Sequence, residues 1–325
     1  AGRLGCAPEE LVFTSCGTEG DNWAISLAAH LGRHRGKHII TTAVEHAAVL
    51  EPCKALEAQG YQVTYLTPDG EGVITAQQVL DAVRPDTALV SCMLVNNELG
   101  TVYPIQDIAR GLAAKNPQTL LHTDAVQGFL KIPFSAKTLG ADFITISAHK
   151  IGGPKGIGAL YIGPRVKNPR PLLPGGGQEG GLRSGTEATA QIAGFAKAVE
   201  LRTEGLEDKL RHMAEIKAYA KEQLSAIPDL VFVGRSDAPH ILSVSLVGWP
   251  SQNIVNDLGS QGICLYAGSA CHQGKPSQVV AALHLPKKTA GSVVRLSFGP
   301  ETTREDIDAC VQALRRHHDT RMPML

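Results

Sequence analysis

Ser147, His149 and Lys150 close a run of apolar and β-branched residues, Phe143 to Ile146, and are followed at once by Ile151-Gly-Gly-Pro-Lys-Gly. That order predicts a buried strand delivering a lysine into an irregular loop. A lysine so placed is expected to lose water, which lowers its pKa and leaves an amine able to form a Schiff base with an aldehyde. Alone, a Ser-x-His-Lys step is more often surface decoration. Three further polar groups repeat the placement: His46 just past His38–Thr42, Asn97 at the stop of the apolar Ala88–Val95 run, and Asp124 closing Leu120–Asp124. In open parallel sheets, sites collect at the carboxyl ends of strands.

An aldehyde cofactor on Lys150 needs an acid beside its ring nitrogen, a ring stacked on its face and donors for its phosphate. Asp124 can hold the ring nitrogen protonated, which makes the ring an electron sink. His46 can stack. Thr18, Ser147 and His149 can donate to phosphate, and Asn97 and Gln127 are amides suited to a ring hydroxyl. Gly17 and Thr18 follow the strand Leu11–Thr14 at the start of a helix, where unpaired N–H groups and the helix dipole favour an anion. An ordinary threonine cap is the other reading of that segment.

Positioning these groups requires alternating strands and helices. A further strand is expected at Tyr61–Leu66, and helices after His46 to near Gly60, at Thr75–Val83 and at Pro104–Ala114. Strands apolar along their whole length imply a mostly parallel sheet covered on both faces. A Gly-rich loop, Pro174 to Thr186, precedes a helical stretch from Glu187 to about Ile227 that breaks near Gly205. Strands at Ile241–Leu246 and Val293–Phe298, with helices at Ile254–Gly262, Gln278–Leu283 and Glu305–His317, then form a smaller α+β domain. The expected division is 1–207 and 208–325.

Lys+Arg and Asp+Glu are both 31, so no basic surplus points to nucleic acid or an anionic membrane. Seven cysteines without a C-x-x-C pair argue against a disulfide scaffold or zinc ribbon and fit reduced thiols in the cytoplasm. No apolar run approaches the roughly 18 residues of a membrane span. Cys271 lies among small residues, with Gly274 and Pro276 after it, as an exposed loop thiol would; Cys92 and Cys264 sit in apolar runs as structural thiols would.

In order, Phe13-Thr-Ser-Cys-Gly-Thr-Glu, Val44-Glu-His46, Asn96-Asn97-Glu98, His122-Thr-Asp124-Ala-Val-Gln127, Ser147-Ala-His149-Lys150, Gly175-Gly-Gly-Gln-Glu, Arg183-Ser-Gly-Thr186, Gly268-Ser-Ala-Cys271 and Val294-Arg295-Leu-Ser-Phe-Gly are anchors through which nearly the whole chain resembles the class V, NifS-like family, the cysteine desulfurases and selenocysteine lyases. The resemblance implies the type I fold of pyridoxal 5′-phosphate (PLP) transferases, with a seven-stranded sheet in the larger domain. It implies Lys150 as Schiff-base lysine and proton shuttle, Asp124 as pyridinium partner, His46 as stacking ring, and Asn97 and Gln127 as ring-hydroxyl contacts. Gly17, Thr18, Ser147 and His149 would form the phosphate cup. Thr186 would reach the phosphate of a neighbouring subunit in a homodimer. Arg295 would grip the substrate carboxylate, with Asn97 beside the substrate, and Cys271 would take sulfur from L-cysteine as a persulfide, leaving alanine, before passing it to an acceptor protein. Selenocysteine lyase, a class V aminotransferase and an inactive scaffold are the other readings. Gln178 stands where many desulfurases have histidine, closer to the lyases. Nothing matches the family's opening Asp-Asn-Ala-Ala-Thr-Thr-Pro type of segment, so a preceding piece is expected to be missing from the numbered chain.

Overall fold

The computed structural model describes residues 1–268 and 277–324. Strands in chain order are β1 Leu11–Thr14, β2 His38–Thr42, β3 Gln62–Leu66, β4 Thr87–Ser91, β5 Leu120–Asp124, β6 Phe143–Ser147, β7 Gly158–Ile162, β8 Leu230–Val233, β9 Ile241–Leu246 and β10 Val293–Ser297. The helices are α1 Gly17–Gly32, α2 Ala47–Glu57, α3 Ala76–Ala82, α4 Ile105–Lys115, α5 Ala136–Leu139, α6 Thr189–Thr203, α7 Leu206–Leu224, α8 Ser251–Gly259, α9 Gln278–Ala282, α10 Lys287–Ala290 and α11 Arg304–Thr320.

Two compact units emerge, and the chain crosses between them more than once. The larger holds residues 1–66, 74–95 and 103–204; the smaller holds 67–73, 96–102 and 205–325. In the larger unit a seven-stranded sheet runs β1-β7-β6-β5-β4-β2-β3. Pairings from β3 across to β6 are parallel, while β7 is antiparallel to both β6 and β1. β2, β4, β5, β6 and β7 are buried at every position, as continuous apolar runs covered on both faces must be. Trp23, Ile25, Leu27 and Ala28 of α1 pack with Ile39, Leu89, Phe143 and Leu160 of the strands in one apolar cluster.

The smaller unit has an antiparallel sheet, β10-β9-β8, and its own core, in which Ile216, Ala220 and Leu224 of α7 meet Leu242, Val244, Val294 and Leu296 and the α11 residues Ile307, Val311 and Leu314. The excursions 67–73 and 96–102 belong to it by backbone bonds, Arg235 N to Glu71 O and Ala238 N to Gly100 O. Gly205, at φ 58°, makes the expected break between α6 and α7; a left-handed conformation there suits a residue without Cβ.

Three expectations need correction. β4 ends at Ser91 rather than Val95: Cys92 N and Leu94 N still donate to His122 O and Asp124 O of β5, but β2 has by then turned away, so the ladder is lost on that side. Strand β8 was not foreseen; it is a four-residue edge strand entered through Asp229 at φ 58°. Cys264 is exposed, whereas Cys92 is buried as expected.

Candidate active site

Within the larger unit, the expected groups leave the sheet at its carboxyl edge. Asp124 is the last residue of β5, paired in register with Thr145 of β6, and is 6% exposed. Its Oδ1 accepts from Val126 N at 2.9 Å. Burial first, then the neighbouring Asp21, pushes its pKa up to about 7, against the pull of the Val126 N–H, His122 and His46.

Two residues earlier on the same strand, and so on the same face, lies His122. Its Nδ1 is 2.8 Å from Ser91 Oγ, and its Nε2 is 3.1 Å from Thr145 Oγ1. Asp21 of α1, 1% exposed, brings Oδ1 to 3.3 Å from that Nε2 without the alignment of a hydrogen bond. Burial drives His122 down to about 4 and Asp21 up to about 7, so at neutral pH the imidazole is uncharged and gives neither acid a positive charge. Asp21 and His122 therefore belong to the electrostatics of Asp124. Sequence reasoning passed over Asp21 because an acid in the first turns of a helix looks like an ordinary dipole partner.

His46 caps α2, its Nδ1 accepting from Ala48 N at 3.1 Å, which places the ring hydrogen on Nε2. Its ring is exposed. Gln127 Oε1 accepts from the buried Lys131 Nζ at 2.8 Å, which sets the amide nitrogen as the donor end.

At the start of α1 the N-cap is Cys16, not Thr18, and no side chain caps the helix. Gly17 is buried and a Cβ there would come within 2.9 Å of Val126, so glycine lets the helix start close to the β5 exit. Thr18 is exposed beside it. On β6, Ser147 Oγ lies 2.9 Å from His149 Nδ1. An uncapped helix N-terminus beside hydroxyl and imidazole donors is chemically fit for a phosphate.

Lys150 departs from expectation. It stands on a 3-10 turn, Ala148–Ile151, just beyond β6 and closed by Gly152 at φ 86°, and it is exposed. The chain enters this turn as soon as the strand is over, so the residue is exposed where a strand end suggested burial. The Gly-rich loop is not slack either. Glu179 Oε2 accepts from Phe13 N of β1 at 2.8 Å, and Arg183 pairs with Glu19 of α1 at 3.0 and 3.2 Å. Thr186 is exposed at its end.

Asn97 and Arg295 lie together in the smaller unit. Arg295 Nη1 donates to Asn97 O at 2.6 Å, a backbone contact that leaves Asn97 Oδ1 buried without a hydrogen-bond partner. Tyr266 exchanges backbone bonds with Arg295 and carries its ring 4.5 Å from the guanidinium. Cys271 lies outside the described residues.

This geometry sets a buried carboxyl, an exposed lysine and an uncapped helix terminus at one edge of the sheet. The aminotransferase class-V family model matches residues 3–310, and the chain belongs to that family. Its cofactor is PLP, and the pairing of buried Asp124 with the uncapped α1 terminus fits that group. A cysteine desulfurase IscS of Clostridium botulinum is 39% identical over 320 residues, spanning 96% of this chain and 79% of its own length. A cysteine desulfurase of Trichormus azollae is 43% identical over 319 residues, with 97% and 79% covered. Among solved structures, a NifS-like protein superposes with a TM-score of 0.90 at 37% identity, covering 98% of this chain and 85% of that one. The fold is accordingly the type I PLP-dependent one. No described helix is long and apolar enough to cross a membrane.

Proposed function

We propose that this chain is a PLP-dependent cysteine desulfurase, taking L-cysteine to alanine and placing its sulfur on Cys271. The observation that carries the reading is the sheet edge, where a buried carboxyl and an exposed amine leave adjacent parallel strands beside an uncapped helix start. The similarity to relatives named cysteine desulfurase, together with Gly268-Ser-Ala-Cys271, supports the choice of substrate.

Gly17, Thr18, Ser147 and His149 would hold the phosphate, His46 would stack on the ring, Asp124 would keep its nitrogen protonated, Gln127 and Asn97 would meet its hydroxyl, and Thr186 would serve the neighbouring subunit of a homodimer. When bound, the cofactor supplies an electron sink for the substrate carbon. Arg295 grips the substrate carboxylate. Lys150 Nζ carries the proton removed from Cα. The Cys271 thiolate attacks the substrate sulfur: an S–S bond forms as the Cβ–S bond breaks, and protonation of the freed carbon gives alanine. An acceptor protein then removes the sulfane sulfur. Apart from the excursions 67–73 and 96–102, the larger domain is assigned to 1–207 and the smaller to 208–325, and the setting to the cytoplasm.

The test is Cys271→Ala, assayed anaerobically with cysteine and with selenocysteine, with intact mass for the persulfide. Sulfide release should vanish while measurable selenide release persists, because a selenol is the better leaving group. Sulfide release at the parental rate, or a persulfide on another cysteine, overturns the nucleophile and favours an aminotransferase. Gln178-Glu179 is the observation that favours selenocysteine lyase as the second reading.

A further inference from the structure

Glu45 immediately precedes His46, is 2% exposed, and is assigned no part in the chemistry above. Its Oε1 accepts from Thr42 Oγ1 at 2.8 Å and from Met93 N at 3.0 Å. These two bonds sit where the β2–β4 ladder has stopped, since the last register pair is Ile40 with Val90. Past that point, Cys92 and Leu94 still donate to β5, while the intervening Met93 N–H faces the side from which β2 has departed. A buried backbone N–H must find an acceptor. Here the Glu45 carboxyl takes the place of the missing strand. On its other side the same turn is tied to β3 by Ala43 N donating to Leu66 O at 2.9 Å. The turn that ends in His46 is thus fastened on both sides, to β3 by backbone and to the stretch beyond β4 by a side chain.

We propose that Glu45 is a positioning residue that fixes the height and plane of the His46 ring by pinning the 42–46 turn to Met93. The inference rests on the reading of His46 as the ring that stacks on the cofactor. A stacked ring tolerates little displacement, and misplacement by about 1 Å can cost on the order of 100-fold. Burial, reinforced by Asp124 and Asp21, pushes the Glu45 pKa up to about 8 despite its bonds from Met93 and Thr42, so the neutral acid predominates at pH 7. Its other oxygen, Oε2, is buried with no hydrogen-bond partner. A glutamine, neutral and with the same acceptor, should therefore replace it.

The experiment is a double-mutant cycle on the PLP-loaded enzyme with Glu45→Gln, Glu45→Ala, His46→Ala and the Glu45→Ala/His46→Ala pair. PLP affinity is measured by absorbance titration of the stripped chain, and kcat and KM with L-cysteine. Glu45→Gln should stay within about twofold of the parent, while Glu45→Ala weakens PLP binding by about tenfold and lowers kcat with KM little changed; in the pair, the loss should equal that of His46→Ala alone, the signature of residues acting as one. Multiplying losses, or a Glu45→Ala enzyme with parental PLP affinity, overturns the inference. If His46→Ala leaves PLP affinity unchanged, the stacking role of His46 fails and the inference fails with it; if His46→Ala weakens binding but Glu45→Ala does not, only the inference fails. Should Glu45→Ala not fold, Thr42→Val, which removes one of the two donors, enters the same cycle; a loss of about threefold that disappears in the His46→Ala background supports the pinning, and its persistence there overturns it.

Discussion

β5 and β6 run side by side and in register to the same edge of the sheet, yet their exits are opposite environments. At the β5 exit Asp124 is buried, bonded to Val126 N and surrounded by Asp21, His122 and Glu45. At the β6 exit the chain turns through a 3-10 step and leaves Lys150 in the open. Low dielectric raises the strength of a fixed charge pair, which suits the ring-nitrogen partner proposed in Asp124, whereas the amine proposed to bond covalently and then move protons needs room. One sheet edge supplies both because a single strand displacement changes what covers it.

The contrast can be broken at either end. Lys150→Ala should cost the most, about 10³-fold or more in turnover as expected for a lost acid–base group, with the melting temperature of the free chain nearly unchanged because the side chain is exposed. A large fall in melting temperature would show that the lysine is structural. Asp124→Asn comes next, at about 10²–10³-fold in kcat for removal of one buried electrostatic partner; parental kcat would remove Asp124 from the chemistry. Ser147→Ala deletes the hydroxyl against His149, worth about 1 kcal/mol or a factor of about 5 in PLP affinity. Fluorescence titration with PLP measures it, and an unchanged constant would take Ser147 out of the cup.

The smallest effect on turnover, and the sharpest on the comparison, is expected from Asp21→Asn. Asp21 and Asp124 keep their protons in the fold up to about pH 7, while an unfolded aspartate releases its proton near about 3.9. Between those values the folded chain binds more protons than the unfolded one, so stability falls as pH rises through that window and levels off above it. Removing one of the two acids should make that fall shallower. Calorimetry of the cofactor-free chain should show the variant's melting temperature gaining on the parent's from pH 4 to pH 8; the same difference at both ends would mean that Asp21 is not a titrating group.

Much of this was legible in the sequence. Apolar runs such as Phe143–Ile146 and Leu120-Leu, ending abruptly on polar residues, mark parallel strands and the edge where they stop. Asp124 could be placed because it closes such a run, and His46 because it follows the end of another by four residues. The exposure of Lys150 could not be read, since a 3-10 turn and a strand end share the same residues up to Ala148. Asp21 and Glu45 were also hidden, because their burial depends on α1 and β4 folding over them, and local sequence carries no sign of that. The Arg295–Asn97 bond joins residues far apart along the chain through a backbone carbonyl, which residue type does not reveal.

The clamp between Glu19 and Arg183 carries a last consequence. It ties the first turn of α1, the proposed seat of the phosphate, to the loop that ends at Thr186. If Thr186 serves a second copy of the chain, anything that tightens the cup also orders the surface on which the copies meet, and by linkage the reverse holds in equal measure. Holding cofactor then becomes a collective property: diluting the enzyme should loosen PLP, and adding PLP should strengthen assembly. Glu19→Gln, by weakening the clamp, should make the two equilibria independent, which sedimentation at graded PLP concentrations would detect.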